Sequence, residues 1–311
     1  VTSLADAPDD VLNGSCDTDE VSPGLTCTLR AALMEAAFVP GADTVDLSGV
    51  SAPLKLTIPT VGADSDAEGD LDITDEVLVL GLGANLTAID GGGATGTALS
   101  GVFHVHPGAT LTLQDLQVRN AAPSAGAPTI LVSDGGWLLL EDVLLAAGTT
   151  TAVVVGDGSL GATLSMAGGE ITSHSTGIAC VGAGAVDLDQ ATLRGCDTAL
   201  DVPVGCTGNI NRSTVTESTA VGIRVDGSVV LENSTLTDNV IGALVSGALS
   251  IESSTVAGPF STTSRPVWSL SGSNVTAHNS IVGAAGQVPC AGGLLGGTGT
   301  LNSLGYNVFG A

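Results

Sequence analysis

The chain has 311 residues and a mass of 30.3 kDa, with 44 glycines, 2% aromatic and 13% charged residues, against roughly 25% charged in an ordinary globular chain. Hydrophobic residues make up 43%, enough to bury a core, which excludes disorder, while the scarcity of charged helix formers argues against a helical domain. Asp and Glu number 32 against 7 Lys and Arg, a formal charge of −25, which excludes nucleic-acid binding and repels anionic polymers unless cations bridge.

In chain order, Cys16 and Cys27 come first, flanking a short acidic loop, and are expected to form a disulfide. Residues 28–38, TLRAALMEAAF, read as a helix with Leu29, Ala32, Leu33 and Ala36 on one face. Thr28 is a suitable N-cap, and Pro40-Gly41 ends the helix. DTVDL (43–47), LKLTI (54–58) and VLVLGLG (77–83) read as strands of irregular first coils. The helix is expected to cover the open first coil, whose unpaired backbone groups would otherwise invite aggregation. The chain thus divides into a cap, residues 1–42, and a parallel β-helix, residues 43–311. Between the early strands lie Asp64, Asp66, Glu68, Asp70, Asp72, Asp75 and Glu76. They read either as a solvated acidic loop or as a calcium site, with Asp64, Asp66, Glu68, Asp70 and Asp72 as ligands.

From Leu113 onward a repeat organises the chain. LQDLQVR at Leu113 recurs as LEDVLLA, MAGGEIT, LDQATLR, INRSTVT, LENSTLT, IESSTVA and AHNSIVG. A second frame ends at Val105, Val132, Val155, Cys180, Val202, Val225 and Val245. Units of 20–27 residues, each read as two short strands with glycine-bearing turns, predict one coil of a parallel β-helix per repeat. Leu113, Leu140, Met166, Leu188, Ile210, Leu231 and Ile251 should stack inward, as should Val118, Leu145, Ile171, Leu193, Val215, Leu236 and Val256. Ser213, Ser234, Ser254 and Ser280 should form an inward column of small residues. Thr192, Thr214, Thr235 and Thr255 should form an outward ladder.

Cys27-Thr28-Leu29-Arg30-Ala31-Ala32 resembles the Cys-Ser-Leu-Arg-Glu-Ala signature of the CSLREA-domain family of bacterial secreted right-handed parallel β-helix proteins. Similarity continues through Pro40-Gly41-Ala42-Asp43-Thr44, Gly69-Asp70-Leu71-Asp72-Ile73, Ile89-Asp90-Gly91 and Val102-Phe103-His104-Val105. It reaches Asn279-Ser280-Ile281-Val282 and Leu304-Gly305-Tyr306-Asn307. The resemblance implies an all-β, right-handed, single-stranded parallel β-helix (a solenoid) with a short N-terminal capping helix, and a secreted, extracellular or cell-surface setting. It carries no catalytic set. Ala31 stands where the family has Glu, so the reciprocal half of a capping box is lost.

No run of 18 apolar residues is present, so no transmembrane segment is expected. The six cysteines lack the close pairs of a zinc site, which favours disulfides and an oxidising compartment. Cys196 and Cys206 bracket one connection and are a second candidate pair. Cys180 reads as a small buried hydrophobe, and Cys290 as unpaired unless its segment folds back.

Glycan-processing β-helices need a base beside acids, or two carboxylates about 5–9.5 Å apart. Asp115 and Asp142, on neighbouring coils with Glu141 beside them, are the best acid pair, and they read more readily as exposed acids in a turn column. His104 is expected to face outward and His106 to open a turn, with no metal assigned to them. Trp137, Trp268 and Tyr306 are too few for a long saccharide groove. The leading expectation is a non-enzymatic structural or adhesive protein. It would engage a cell-surface or matrix component, or itself, through its surface or an apolar last coil carrying Val308 and Phe309. The alternatives are an extracellular polysaccharide-active enzyme (lyase or glycoside hydrolase) and a calcium-dependent binding module, calcium being the one cofactor considered.

Overall fold

The computed structural model describes residues 1–19, 26–59, 67–92, 101–121, 126–258, 265–284 and 299–309. Within them the chain winds into a parallel β-helix whose strands form three sheets of 11, 11 and 9 strands. The first sheet runs from Ala42–Asp46 to Thr300–Ser303, the second from Leu54–Lys55 to Val308–Phe309, and the third from Leu71–Ile73 to Arg265–Ser269. A full coil therefore carries three strands rather than two. In one coil, Ile130–Val132 lies in the third sheet, Trp137–Glu141 in the first and Leu144–Ala146 in the second. The repeat LEDVLLA hides two strands, because the corner between them is only two residues long and contains no glycine.

Those corners are turned by single residues with positive φ. Asp115, Asp142, Gln190, Arg212, Asn233, Ser253 and Asn279, with φ between 48° and 56°, each follow a first-sheet strand, and Gly168 takes this place after Thr163–Ala167. Asn120, Ala147, Ser173, Glu217 and Asp238 do the same after second-sheet strands. Asn and Asp tolerate this conformation best among non-glycine residues. The anticipated glycine turns, such as Ser133–Gly136, occupy the remaining corner, before the first-sheet strand.

The inward ladders stack in register. Leu113, Leu140, Met166, Leu188, Ile210, Leu231 and Ile251 pair successively and are at most 2% exposed. The Val118-to-Val256 ladder is likewise continuous and buried. The outward threonines are half-exposed, as expected. The serine column does more than fill space. Ser213, Ser234, Ser254 and Ser280 each accept the backbone N–H of the preceding coil's corner residue through Oγ, at 3.0–3.2 Å. Each hydroxyl also donates to the carbonyl two residues earlier, at 2.6–2.7 Å. Asn307 continues the ladder, its Oδ1 accepting from Ser280 N at 2.8 Å.

The helix spans Leu29–Phe38, and Thr28 caps it by accepting the Ala31 N–H at 3.1 Å, the half of the capping box that survives. Leu29, Leu33 and Ala36 join the core, and the helix packs on the first- and third-sheet strands Ala42–Asp46 and Leu71–Ile73. Arg30, expected only as part of a motif, is a buried clamp. Its guanidinium meets Asp6 at 2.8 Å and donates to the carbonyls of Gly69 (2.8 Å) and Asp70 (3.1 Å). Asp6 also accepts the N–H groups of Thr57 and Ile58.

Cys16 and Cys27 form the expected disulfide. The second pairing differs from expectation. Cys180 bonds Cys206, with Cα atoms 6.2 Å apart, and Cys196 is free and buried. The reason is the third strand of each coil. Cys180 ends a third-sheet strand and Cys206 precedes a first-sheet strand one coil later, so both sit at the same corner. Cys196 follows the second-sheet strand Thr192–Arg194, at a different corner. Cys290 lies outside the described residues. In the last coil Val308 is 59% and Tyr306 90% exposed; Val308–Phe309 pairs with Ile281–Ala284.

Candidate functional site

The acids singled out in the sequence do share a column. Asp115 and Asp142 occupy equivalent corners of neighbouring coils, joined where Asp115 N–H donates to the Glu141 carbonyl at 3.0 Å. Their positive φ gives these two positions a conformational task. Asp142 and Glu170 border a shallow depression of about 340 Å³, with Asn85 and Thr192 on its rim.

Of the proposed calcium ligands, Asp64 and Asp66 lie outside the described residues. Glu68 is half-buried, and Asp70 and Asp72 are buried. Asp72 faces imidazoles. Asp72, His104 and His106 are the only group of three or more potential metal-ligating side chains found among the described residues, with donor atoms all within 4.8 Å of one another.

Strand alternation builds this cluster. Leu71 and Ile73 point into the core, so Asp72 between them points outward. Phe103 and Val105 do the same for His104, and Asp72 and His104 are direct register partners. His106 begins the following turn, where its N–H is tied to the Ile73 carbonyl at 2.9 Å. Its Nε2 lies 2.7 Å from Asp72 Oδ1, and His104 Nδ1 lies 3.5 Å from the same oxygen. The two rings sit 3.9 Å apart, tilted by 32°. The Asp72 side chain is 5% exposed, His104 18% and His106 35%, so the carboxylate is at the bottom and the imidazoles reach towards solvent. Burial opposes charge on Asp72, but hydrogen bonds from His104 and His106 outweigh it and hold the carboxyl below the usual range.

A second layer fixes His104. Its Nε2 is 2.9 Å from Ser133 Oγ, and the Ser133 hydroxyl donates to Asp157 Oδ2 at 2.7 Å. With its only hydroxyl proton given to Asp157, Ser133 accepts from the imidazole, so His104 carries hydrogen on Nε2. Its Nδ1 is then directed at the Asp72 carboxylate, where a lone pair facing an anion needs a proton or a metal ion between them. Asp157 is itself held in place. Its Oδ1 accepts Asp134 N–H at 3.0 Å, while Asp134 accepts the N–H groups of Leu160 (2.7 Å), Asp157 and Gly158 (both 3.2 Å). The Leu160 bond leads in drawing the Asp134 carboxyl below its ordinary value against desolvation, and the Asp157 and Gly158 bonds add to it.

Sequence reading saw both histidines and Asp72 but did not join them, because the strand Leu71–Ile73 carries no copy of the repeat. The outward file of the third sheet continues through half-buried Leu131, Val154 and Ala179 to Asp201, Arg224, Leu244 and Trp268. Arg265 lies over the Trp268 ring at 4.4 Å. Burial pushes the Asp201 carboxyl up, with Arg224 opposing and Asp226 adding to the shift.

No family model and no curated protein matches the chain. Two solved structures are similar to it, both from Azotobacter vinelandii. The mannuronan C-5 epimerase AlgE6 A-module is 14% identical over 96% of this chain and 87% of that one, with a TM-score of 0.45. The corresponding AlgE4 A-module is 11% identical over 97% and 98%, with a TM-score of 0.32.

Proposed function

We propose that this chain is a secreted or cell-surface β-helical rod with a structural or adhesive role, engaging a cell-surface or matrix component along its side without turning it over. The observation that carries this reading is the use made of its acids. Asp115 and Asp142 turn corners in the left-handed conformation. Asp6, Asp9, Asp17, Glu35 and Asp134 serve as acceptors for backbone N–H groups. Carboxylates that hold backbone N–H groups in this way stiffen a rod, and the chain as a whole stays strongly anionic. The two disulfides fit an oxidising setting, and the resemblance at Cys27–Ala32 supports secretion. Calcium bridging through half-buried Glu68 fits the same role as a means of joining an anionic rod to an anionic surface.

The test is incubation of the full chain with immobilised matrix and cell-wall polysaccharides, with and without calcium. Retention with no new reducing ends, unsaturated uronates or epimerised residues is expected. Turnover that disappears in Asp115→Asn or Asp142→Asn would replace this reading with the enzymatic one.

A further inference from the structure

We propose that Asp72, His104 and His106 form a binding site for a zinc-like transition-metal ion, with one coordination position open to solvent. The donors would be His104 Nδ1, His106 Nε2 and Asp72 Oδ1. Metal–nitrogen and metal–oxygen bonds of about 2.0–2.2 Å put two ligands of one ion roughly 3–3.5 Å apart. The 3.5 Å separation of His104 Nδ1 from Asp72 Oδ1 falls in that range, while the 2.7 Å separation of His106 Nε2 is a hydrogen-bond length that must open by a few tenths of an ångström to admit an ion.

Three features separate this site from a chance cluster. The first is tautomeric. Ser133 and Asp157 place a hydrogen on His104 Nε2, so its Nδ1 can hold either the second proton of an imidazolium, donated to Asp72, or a metal ion that displaces that proton. A metal ligand whose other ring nitrogen is held by a hydrogen bond is the usual outer-layer arrangement around a metal histidine. The second is rigidity. Two donors come from paired strands, the third from a turn tied to Ile73, and Asp157 from a corner locked by Asp134. The third is exposure. The carboxylate is buried while both imidazoles are partly exposed, so an ion can enter from outside and keep a water or a partner's anionic group as its fourth ligand. Two nitrogens and one oxygen suit zinc and its neighbours. Calcium takes six to eight oxygens and would not be held here. This site takes Asp72 out of the calcium set considered above, and it does not depend on the adhesive reading.

The experiment uses the untagged full chain, stripped with a chelator. Zinc is titrated by calorimetry, and cobalt by its visible absorption, which reports ligand number and geometry. One ion per chain is expected, with no displacement by excess calcium. His106→Gln should weaken binding at least 100-fold. Ser133→Ala, which leaves all three ligands in place, should weaken it about 10–100-fold. His106 is the most exposed of the three, so its variant should keep the wild-type circular dichroism, with a modest fall in metal-free melting from the lost bond to Asp72. Should Asp72→Asn fail to fold, the His106 and Ser133 variants decide the matter. Absence of zinc and cobalt binding by the folded chain, or binding that His106→Gln leaves unchanged, overturns the proposal and leaves only adventitious ions on an acidic surface.

Discussion

Arg30 and Asp6 are both buried to the last percent, and together they tie the N-terminal segment, the helix and the coil at Gly69–Asp70 into one unit. Removing one partner of such a pair leaves the other charge uncompensated, at about 3–5 kcal/mol. Arg30→Ala should lower the urea midpoint accordingly, and Arg30→Lys should recover little, since an ammonium lacks the planar fork that reaches an acid and two carbonyls together. Asp201 makes the opposite case. A folded-state value above the unfolded one means that its contribution is favourable below the unfolded pKa, near 4, and is lost as pH rises through the folded value. Asp201→Asn should therefore raise the melting temperature at pH 7, and the gain should close below about pH 4. An unchanged or lower melting temperature at pH 7 would show that the Arg224 attraction outweighs burial. Individual residues were legible in the sequence where a periodic column named them, as at Leu231 or Thr214. They were not where partners meet through coil register alone. Arg30 with Asp6, Asp72 with His104 and Cys180 with Cys206 all belong to that group.

Elements read well wherever side-chain alternation repeats, and poorly where the backbone alone decides. Both inward ladders fall where the apolar frames put them, and the cap helix begins one residue after Thr28. The third strand of each coil was hidden because a left-handed corner residue needs no glycine, so Asp115, Gln190 and Asn233 looked like ordinary polar positions. The serines looked like filler for the same reason. Their task is to accept corner N–H groups that no strand pairing serves. Ser234→Ala would leave the buried Ser213 N–H unpartnered, for a loss of about 1–3 kcal/mol. Ser250→Ala, on an outward position, should change stability by no more than about 0.5 kcal/mol. Equal midpoints for the two variants in denaturant titrations would remove the ladder from the stability account. Leu231→Asp, at a position with no exposure, should abolish the cooperative transition.

At the scale of the whole molecule, each coil touches only its neighbours, so stability is a sum of local terms along one axis. The Cys180–Cys206 bond joins successive coils and closes a loop of sequence separation 26, which the chain-entropy model values at about 3.5 kcal/mol. Cys206→Ser should lower stability by that order in calorimetry, while reducing agent should have little further effect on this part of the stack. The same bond has a mechanical consequence. A rod pulled from its two ends can pay out only the chain that no covalent bond shortcuts. The coil between the two cysteines must remain slack while everything around it is drawn straight. At roughly 3.4 Å per residue, those 26 residues hide about 9 nm of contour length. In single-molecule stretching, Cys206→Ser should lengthen the fully extended chain by that amount. The intact protein, with one coil shielded from tension, should keep a stretch of its length out of reach of force altogether.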